Sequence, residues 1–301
     1  MTNTKKNTQN TATKKDVYEL ITERILEQLE NGVIPWHKPW TGGLDGAYNY
    51  KTRKAYSLLN QMLLKHADAY LSWKQIQELG GKVKKGAKTE IVTFWKILPI
   101  EEELEDGTKV KKNIPLLRYY PVFWIGDVEG IERKDIQRVA HDPVEEAENI
   151  VNLYMTSENH PTLEREKTSD RACYSPLMDR VRVPEIGQFK EISEYYSTLF
   201  HELTHSTGHA SRLNRLTKTA FFGNDEYSKE ELVAEIGAAT LVNMAGLETP
   251  KSFKNSAAYI QGWSEQLRDN KRMIVEASSK ANKAVNYILG RKDSNNDSDE
   301  Q

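Results

Sequence analysis

The sequence predicts an α+β protein of two domains, and three observations carry this prediction. Apolar residues recur at helical spacing near both ends of the chain, in residues 16–29 and again in residues 257–289. Between them, residues 90–96 and 116–125 are rich in β-branched and aromatic residues, which favours strands. Residues 1–98 carry 16 Lys/Arg against 9 Asp/Glu, whereas the remainder carries 26 against 35, so the two halves differ in the sign of their charge.

Length and composition restrict the class of protein. The 301 residues suffice for two domains of ordinary size, and a hydrophobic content of 38% suits a soluble globular protein. There is no apolar run of about 18 residues and no secretory signal at the polar N-terminus, so we expect a cytoplasmic protein without a membrane partner. Cys173 is the single cysteine, which excludes an intrachain disulfide and fits a reducing compartment. Residues 1–14 and the acidic residues 293–301 are predicted to be disordered tails.

The first half is predicted to contain helices followed by a β-hairpin. Its elements are, in order, a helix at residues 16–29, an extended segment at 33–40, helices at 57–70 and 72–79, and strands at 90–96 and 116–125. A charged stretch with Asp106-Gly107 at a turn joins the two strands. We place a first domain at residues 15–131, a linker at 132–142 and a second domain at 143–292.

The second half is predicted to be mainly helical, with one strand beside its central helix. Its elements are helices at residues 143–155, 195–207, 228–239, 257–277 and 278–289, and a strand at 180–184. A strand can border a cleft and align an extended peptide beside it, and residues 180–184 are the candidate for such a strand. Tyr174 precedes this strand and is a candidate donor to a developing oxyanion, although a buried structural tyrosine is an equal alternative.

One stretch of the second half carries a chemical signature. His201 and His205 flank Glu202 in the pattern His-Glu-x-x-His, within an otherwise apolar segment that Gly208 can end. Residues four apart lie on the same face of a helix, so the two imidazoles can bind one metal ion. Glu202 stands beside them, where it can take a proton from a water molecule. We predict His201 and His205 as metal ligands and Glu202 as the catalytic general base.

A third metal ligand is expected on the helix at residues 228–239. Catalytic zinc commonly takes two histidines and one glutamate and keeps one position for water. Glu231 and Glu235 share a helix face, so one can bind the metal while the other accepts the second ring N–H of a ligand histidine. Their E-x-x-A-E pattern resembles the E-x-x-A-D of many gluzincin peptidases, which favours Glu231 as ligand and Glu235 as the outer carboxylate. The opposite assignment stays open. We expect one zinc ion per chain, with another divalent metal as the alternative.

Other interpretations of the same residues require different ligands or none. A metzincin site needs a third histidine at position 211, which is Ser211 here, and His209 comes two residues too early. We therefore do not assign His209 as a ligand. Glu231 and Glu235 could instead form the solvated side of an amphipathic helix, but the small residues around them favour close helix packing.

Aromatic and basic residues are interleaved in the first half in a way that suits nucleic acid. Single-stranded DNA is held by cations along its phosphates and by rings on which its bases stack. The excess of 16 basic over 9 acidic residues in residues 1–98 supplies the cations, and six rings between positions 36 and 73 can supply the stacking. Each ring taken alone is better explained by a core position. The predicted DNA-binding residues are Trp36, Lys38, Trp40, Tyr48, Lys51, Arg53, Tyr56, Trp73, Lys82, Lys84 and Lys85.

These motifs resemble a known family over roughly residues 15–290. The first half is similar to the N-terminal domain of ArdC-type antirestriction proteins, and related domains head some conjugative-plasmid primases. The second half resembles the zincin-like peptidase domain fused to it in that family. The resemblance is carried by Ile34-Pro35-Trp36-x-Lys38-Pro39-Trp40, by Trp73-Lys74-Gln75-Ile76, by Pro121-Val122-Phe123, by the His-Glu-x-x-His pattern and by Glu230-Glu231-Leu232-x-Ala234-Glu235.

The resemblance implies single-stranded DNA binding by the first domain, a metallopeptidase-like second domain, and carriage on mobile elements. We therefore expect an antirestriction protein that binds single-stranded DNA and, as a zinc metalloendopeptidase, hydrolyses peptide bonds of an unidentified partner protein. The alternative is a DNA-binding shield that cuts no protein and whose metal site is only structural. Hydrolysis of DNA is a further alternative.

Overall fold

The computed structural model describes residues 16–37, 46–103, 109–133, 142–167, 169, 171–216, 225–247 and 257–291. Within them, helices and strands are mixed, which confirms the predicted α+β class. The predicted tails at 1–14 and 293–301 lie outside the described residues, as does most of the predicted linker at 132–142, so the domain limits stay predictions.

The helices lie mainly in the second half, and the strands form small sheets in both. The helices are α1 (Val17–Glu30), α2 (Leu58–Leu63), α3 (Trp73–Glu78), α4 (Pro143–Met155), α5 (Ile192–Ser206), α6 (Asp225–Met244), α7 (Ala257–Asp269) and α8 (Met273–Ile288). The strands are β1 (Tyr48–Asn49), β2 (Ala69–Leu71), β3 (Lys82–Val83), β4 (Glu90–Glu103), β5 (Lys109–Trp124), β6 (Val128–Glu129), β7 (Thr162–Glu166), β8 (Cys173–Ser175) and β9 (Arg180–Pro184). In the described residues they pair in the orders β1-β2-β5-β4, β3-β6 and β7-β9-β8.

A long hairpin dominates the first half. β4 and β5 are antiparallel and pair from Glu90 and Val122 at the base to Glu103 and Lys109 at the outer end. The base is covered by α2, whereas the outer part exposes both faces. The hairpin is longer than the sequence predicted, and its predicted turn at residues 106–107 lies outside the described residues.

The predicted helix at residues 57–70 is wrong in its second half. α2 ends at Leu63, and the chain then turns into β2 at Ala69–Leu71. Two side chains from other positions hold the turn, because the Lys65 backbone N–H donates to Glu90 and the His66 N–H donates to the Tyr70 hydroxyl. The apolar residues that suggested a longer helix are therefore shared between a helix and a buried strand.

The first helix packs against the last two. Ile21, Ile25 and Leu29 recur at four-residue spacing on α1 and are fully buried in a cluster that includes residues of α7 and α8. Trp36 lies in the same cluster with 0% of its surface exposed, and its indole N–H donates to the Tyr259 hydroxyl at 3.1 Å. Trp36 is thus a core residue, which corrects its prediction as a base-stacking ring.

The C-terminal helices divide earlier than the sequence predicted. α7 ends at Asp269 and α8 begins at Met273, so the predicted continuous helix at residues 257–277 is wrong. The Asn270 side chain accepts a hydrogen bond from the Arg272 backbone N–H, which competes with helical continuation at this point. Among the described residues, no helix combines the length and the apolar character needed to cross a membrane.

Candidate metal centre

The amphipathic pattern of α5 places the His-Glu-x-x-His residues on its open side. Its opposite side is buried through apolar and aromatic residues, and this burial fixes the helix in the core. His201, Glu202 and His205 are only partly buried. α5 ends at Ser206, and the Gly208 backbone N–H donates to the His205 carbonyl at 2.8 Å. The buried residues of α5 are Tyr195, Tyr196, Ser197, Leu199, Phe200, Leu203, Thr204 and Ser206.

A glycine lets α6 approach α5 closely. A Cβ atom built at Gly237 would lie 2.6 Å from Thr204 Cγ2, so no side chain fits between the two helices there. Gly237 is two positions beyond Glu235 on α6, and Thr204 directly precedes His205 on α5. This close contact brings the acidic face of α6 to the histidines of α5.

Three of the predicted residues converge on one point. The Nε2 atoms of His201 and His205 are 3.1 Å apart. A Glu231 carboxylate oxygen lies 3.5 Å from the His201 Nε2, and the other lies 3.3 Å from the His205 Nε2. Taken together, ligand atoms from the three residues lie within 4.8 Å of one another.

These residues fit a divalent metal ion. Ligands bound to zinc at 2.0–2.1 Å in tetrahedral geometry are about 3.3 Å apart, and the three separations found here bracket that value. Two imidazole nitrogens and a carboxylate are also the donor set of many catalytic zinc sites. The chemistry and the spacing of the donor atoms therefore agree with each other.

Glu230 holds His205 from the opposite side. The His205 Nδ1 lies 3.4 Å from Glu230 Oε1, which favours the tautomer whose Nε2 lone pair points toward His201 and Glu231. Arg215 donates to both oxygens of Glu230, at 2.8 and 3.1 Å. Burial alone would raise the pKa of Glu230, but the contacts with His205 and Arg215 outweigh burial and lower it. Glu230 therefore stays ionised beneath the histidine.

The same environment acts on the histidine when no metal is bound. Burial by itself lowers the pKa of His205, but the carboxylates of Glu230 and Glu231 raise it to about 10. Their hydrogen bonds and their charge both stabilise the imidazolium. The polar groups around His205 are thus arranged for a cation at this position.

Glu235 lies farther from the ligand histidines than the sequence predicted. Its carboxylate accepts a hydrogen bond from the Tyr259 hydroxyl at 3.1 Å and lies 3.9 Å from the His37 Nε2. Burial raises the pKa of Glu235. The contact with a ligand histidine that we expected from Glu235 is made by Glu230 instead, because α6 turns Glu230 rather than Glu235 toward the His205 Nδ1.

A tyrosine that the sequence did not single out lies beside the catalytic candidate. Burial, together with the nearby carboxylates of Glu231 and Glu202, raises the pKa of the Tyr227 hydroxyl to about 12. The hydroxyl hydrogen-bonds with Glu231. Glu202, Glu231 and Tyr227 therefore share one side of the site.

The sheet beside α5 has a different edge from the one predicted. β9, the candidate cleft strand, lies in the middle of its sheet, with β7 on one side and β8 on the other. β7 and β8 are the two edge strands, and α5 contacts β8 as well as β9. The Tyr174 hydroxyl donates to Asp179 at 2.8 Å and accepts from Arg212 at 3.1 Å, which supports a structural role for Tyr174.

The predicted DNA-binding rings have different environments. Tyr48 is 2% exposed and, like Trp36, presents no ring face to solvent, so it is removed from the stacking set. Trp73 is 52% exposed on α3, and Tyr56 is half-buried. Lys38 and Trp40 lie outside the described residues.

The predicted cations mostly remain at the surface. Arg53, in the left-handed region with φ of 62°, lies over the rings of Tyr48 and Tyr50 at 5.4 and 5.7 Å. Lys51 pairs with Glu78 at 2.6 Å. The remaining predicted cations, all exposed, are Lys82, Lys84 and Lys85.

Comparison with known proteins divides the chain into two matched parts. Residues 15–123 match the family model described as the N-terminal domain of the anti-restriction factor ArdC. Residues 156–280 match the zincin-like metallopeptidase model. The second match contains the His201, His205 and Glu231 cluster.

Solved structures extend the similarity to nearly the whole chain. The Mn(II)-bound crystal structure of the antirestriction protein ArdC from plasmid R388 is 32% identical, with a TM-score of 0.71, and the match covers 92% of this chain and 98% of that one. The metal-free crystal structure of the same protein is also 32% identical, with a TM-score of 0.68 and coverage of 92% and 100%.

Sequence relatives include much longer proteins. Two Escherichia coli proteins named DNA primase TraC are 33% and 32% identical over 93% and 92% of this chain. The chain spans only 20% and 27% of their lengths. A protein of Sinorhizobium fredii, y4eC, is uncharacterised and is 27% identical over 91% of both chains.

Proposed function

This chain belongs to the ArdC family of antirestriction proteins, and from that membership we propose that it binds single-stranded DNA and hydrolyses a peptide bond of a partner protein in the cytoplasm. The DNA-binding role falls to the first half and the hydrolytic role to the second. The observation that carries the proposal is the convergence of His201, His205 and Glu231, whose ligand atoms lie within 4.8 Å of one another.

A divalent metal ion completes this site in the proposal. His201, His205 and Glu231 would hold it, and one of the two crystal structures of R388 ArdC is Mn(II)-bound. Zinc is the ion that we predict for this chain, because nitrogen and carboxylate donors in a three-ligand site suit it. When bound, the ion supplies Lewis acidity, which acidifies a water molecule and polarises the scissile carbonyl.

The residues of the chain perform the proton transfers. Glu202 follows a ligand histidine directly in sequence and accepts the proton of the attacking water at its carboxylate. It then returns that proton to the leaving amine nitrogen as the C–N bond breaks. Glu230 keeps the His205 tautomer fixed, and Arg215 keeps Glu230 ionised. The surrounding core holds these groups in place throughout.

The substitution Glu202→Gln tests the hydrolytic role. It preserves the size of the side chain but removes the base, so we expect the metal content and DNA binding to persist while cleavage of the partner protein and protection from restriction are lost. Proteins cleaved by the wild type but spared by Glu202→Gln would identify the substrate. Glu194→Gln, in the first turn of α5, is the matched control and should behave as the wild type.

A purely structural metal predicts the opposite result. Glu202→Gln would then protect as well as the wild type, which would reject the peptidase proposal. The R388 protein has been crystallised both with Mn(II) and metal-free, so its fold does not require the metal. We extend this argument to the present chain, in which the helices carrying the site are already fixed by buried apolar residues.

The DNA-binding role is supported by the charge and the exposed residues of the first half. Trp73 offers an exposed ring, and the exposed lysines near β3 offer cations for phosphates. We expect labelled single-stranded oligonucleotides to bind with an affinity that falls steeply as salt increases, because phosphate neutralisation releases counterions. Absent or salt-insensitive binding would reject this role.

A further inference from the structure

An open pocket lies at the base of the β4–β5 hairpin. It forms where the hairpin meets α2 and the segment after β1, far in sequence from the metal ligands. The residues that matter for its chemistry are Asn49, Lys54, Tyr56, Asn60, Phe94 and Tyr120. Aromatic rings, amides and a cation thus line one space within the half that we propose binds DNA.

Three half-buried rings form the apolar part of the pocket. Phe94 pairs across the hairpin with Arg118, and Tyr120 is two residues farther along β5, so Phe94 and Tyr120 lie on the same face. Their ring centroids are 5.6 Å apart with planes inclined by 59°. Tyr56 completes the lining from the segment after β1. Each ring is only half-buried and lines the pocket, and rings so placed are suited to contact a base.

The two asparagines differ in how their hydrogen-bonding groups are used. The Asn60 side chain is hydrogen-bonded to the backbone of Thr93. Its Oδ1 accepts from the Thr93 N–H at 2.7 Å, and its Nδ2 donates to the Thr93 carbonyl at 2.9 Å. The Asn49 Oδ1 accepts from the backbone N–H groups of Lys51 and Thr52, at 2.9 and 3.0 Å. Asn60 therefore fixes the pocket wall.

The other half of the Asn49 amide, its Nδ2, has no hydrogen-bond partner in the described part of the chain. Asn49 is only 2% exposed. Because Asn49 lines the pocket, this N–H can donate to an acceptor that enters it. A ring nitrogen or carbonyl oxygen of a nucleobase would supply that acceptor.

Cations continue from the pocket along the hairpin. Arg118 is opposite Phe94, and Lys96 is the next residue of β4 on the same face. Both are exposed, and neither forms an ion pair with another described residue. Lys54 lines the pocket itself. The arrangement therefore matches a nucleotide, with rings and an amide for the base and cations for phosphates.

We propose that this pocket is a nucleobase subsite for single-stranded DNA. One unpaired base enters beside Phe94 and Tyr120 and accepts a hydrogen bond from Asn49 Nδ2, while Arg118 and Lys96 bind the flanking phosphates. Since a paired base cannot enter, the subsite discriminates against duplex DNA. This inference rests on the proposed DNA binding and adds the place and chemistry of base recognition.

The test compares two oligonucleotides of equal length and charge, one of thymidine and one made entirely of abasic sites. Fluorescence anisotropy should show that the wild type binds the thymidine strand about 5- to 150-fold more tightly per engaged base. Phe94→Leu and Tyr120→Leu keep apolar volume but remove a ring, so we expect this ratio to collapse while abasic binding is unchanged. Tyr119→Leu is the control, because Tyr119 is 41% exposed on the opposite face of β5.

If the ring variants do not fold, substitution of an exposed residue still tests the proposal. Arg118→Gln should lower the magnitude of the salt slope by about 0.7, as expected for one lost phosphate contact on single-stranded DNA. An unchanged ratio in Phe94→Leu, or an unchanged slope in Arg118→Gln, overturns the subsite while leaving salt-dependent DNA binding intact. Failure of the wild type to bind either strand overturns the proposed DNA binding and the subsite together.

Discussion

The metal centre of the second half and the aromatic, basic surface of the first half differ in how firmly their residues are held. His201, His205 and Glu231 come from two helices that are locked together by the contact of Gly237 with Thr204. Each ligand has a defined neighbour within 3.5 Å. Those DNA-binding candidates that the structure describes lie mostly on short strands, turns and α3, and only some of their rings reach solvent.

The difference follows from the geometry that a metal ion and a DNA strand each require of a binding site. A metal ion accepts a few donors at fixed distances, so its site tolerates almost no displacement. A flexible DNA strand accepts many interchangeable rings and cations, so its site can be spread over a surface. We therefore expect single substitutions to abolish function in the second half and to weaken it gradually in the first.

The largest expected effect is the loss of metal in His205→Ala. Loss of an outer hydrogen-bond partner of a ligand lowers metal affinity roughly 10- to 100-fold. Removing one of the three ligands themselves should lower it by considerably more. Metal analysis of purified protein should then fall from about one ion per chain to almost none. His209→Ala is the control, because His209 contacts Ser211 rather than the cluster. Equal metal in His205→Ala and the wild type would remove this site from consideration.

The next effect separates two tryptophans of the first half. Trp36→Ala should destabilise the protein by about 3–5 kcal/mol, because it empties a fully buried position. Trp73→Ala should leave stability nearly unchanged but weaken single-stranded DNA binding by about 1–3 kcal/mol. Denaturant unfolding and oligonucleotide titration of both variants measure this contrast. A stable Trp36→Ala that binds DNA poorly would show that Trp36 does belong to the DNA surface.

A smaller effect distinguishes two glutamates of α6. Glu230→Gln should weaken metal binding about 10- to 100-fold, because the His205 Nδ1 loses its carboxylate partner. Glu235→Gln should change metal affinity less, because its hydrogen bond is with Tyr259. Competition with a chelator of known affinity measures both. A larger loss in Glu235→Gln would restore the arrangement that the sequence alone favoured.

The parts that the sequence could predict are those fixed by local geometry. His201 and His205 share a face because of the helical period alone. The resemblance of the E-x-x-A-E pattern to gluzincins favoured Glu231 but left Glu235 open as the third ligand. The choice between Glu230 and Glu235 as partner of His205 depends on how α5 and α6 cross, which a contact between Gly237 and Thr204 sets. Such a contact between two helices produces no periodic pattern in the sequence.

Tertiary contacts explain the other differences. Trp36 is buried because α7, more than two hundred residues later, supplies Tyr259 as partner. β2 interrupts a predicted helix because Glu90 captures a backbone N–H of the preceding turn. The same aromatic residues that serve a DNA surface also serve a core, so composition cannot tell the two apart.

The smallest expected effect concerns ion pairs in the two halves. In the second half Asp179 pairs with Arg212, whose side chain is fully buried, and one of their contacts is 2.9 Å. In the first half the pair of Lys112 with Glu102 is mostly exposed and should contribute little. Burial raises the pKa of Asp179, but the hydrogen bonds from Arg212 and Tyr174 outweigh it and hold the pKa below its usual value.

The pH dependence of Asp179→Asn follows from this lowered pKa. The ionised carboxylate stabilises the fold above its unfolded pKa of about 3.9, and this contribution is lost as the pH falls through the lower folded value. We expect Asp179→Asn to unfold with a deficit of about 1–2 kcal/mol at pH 7, after allowance for the exposed part of the side chain. Denaturant unfolding between pH 7 and pH 3 should show the deficit shrinking in acid, with Glu102→Gln near zero throughout. A deficit that stays constant with pH would mean that the shape of the Asp179 side chain, rather than its charge, holds this turn.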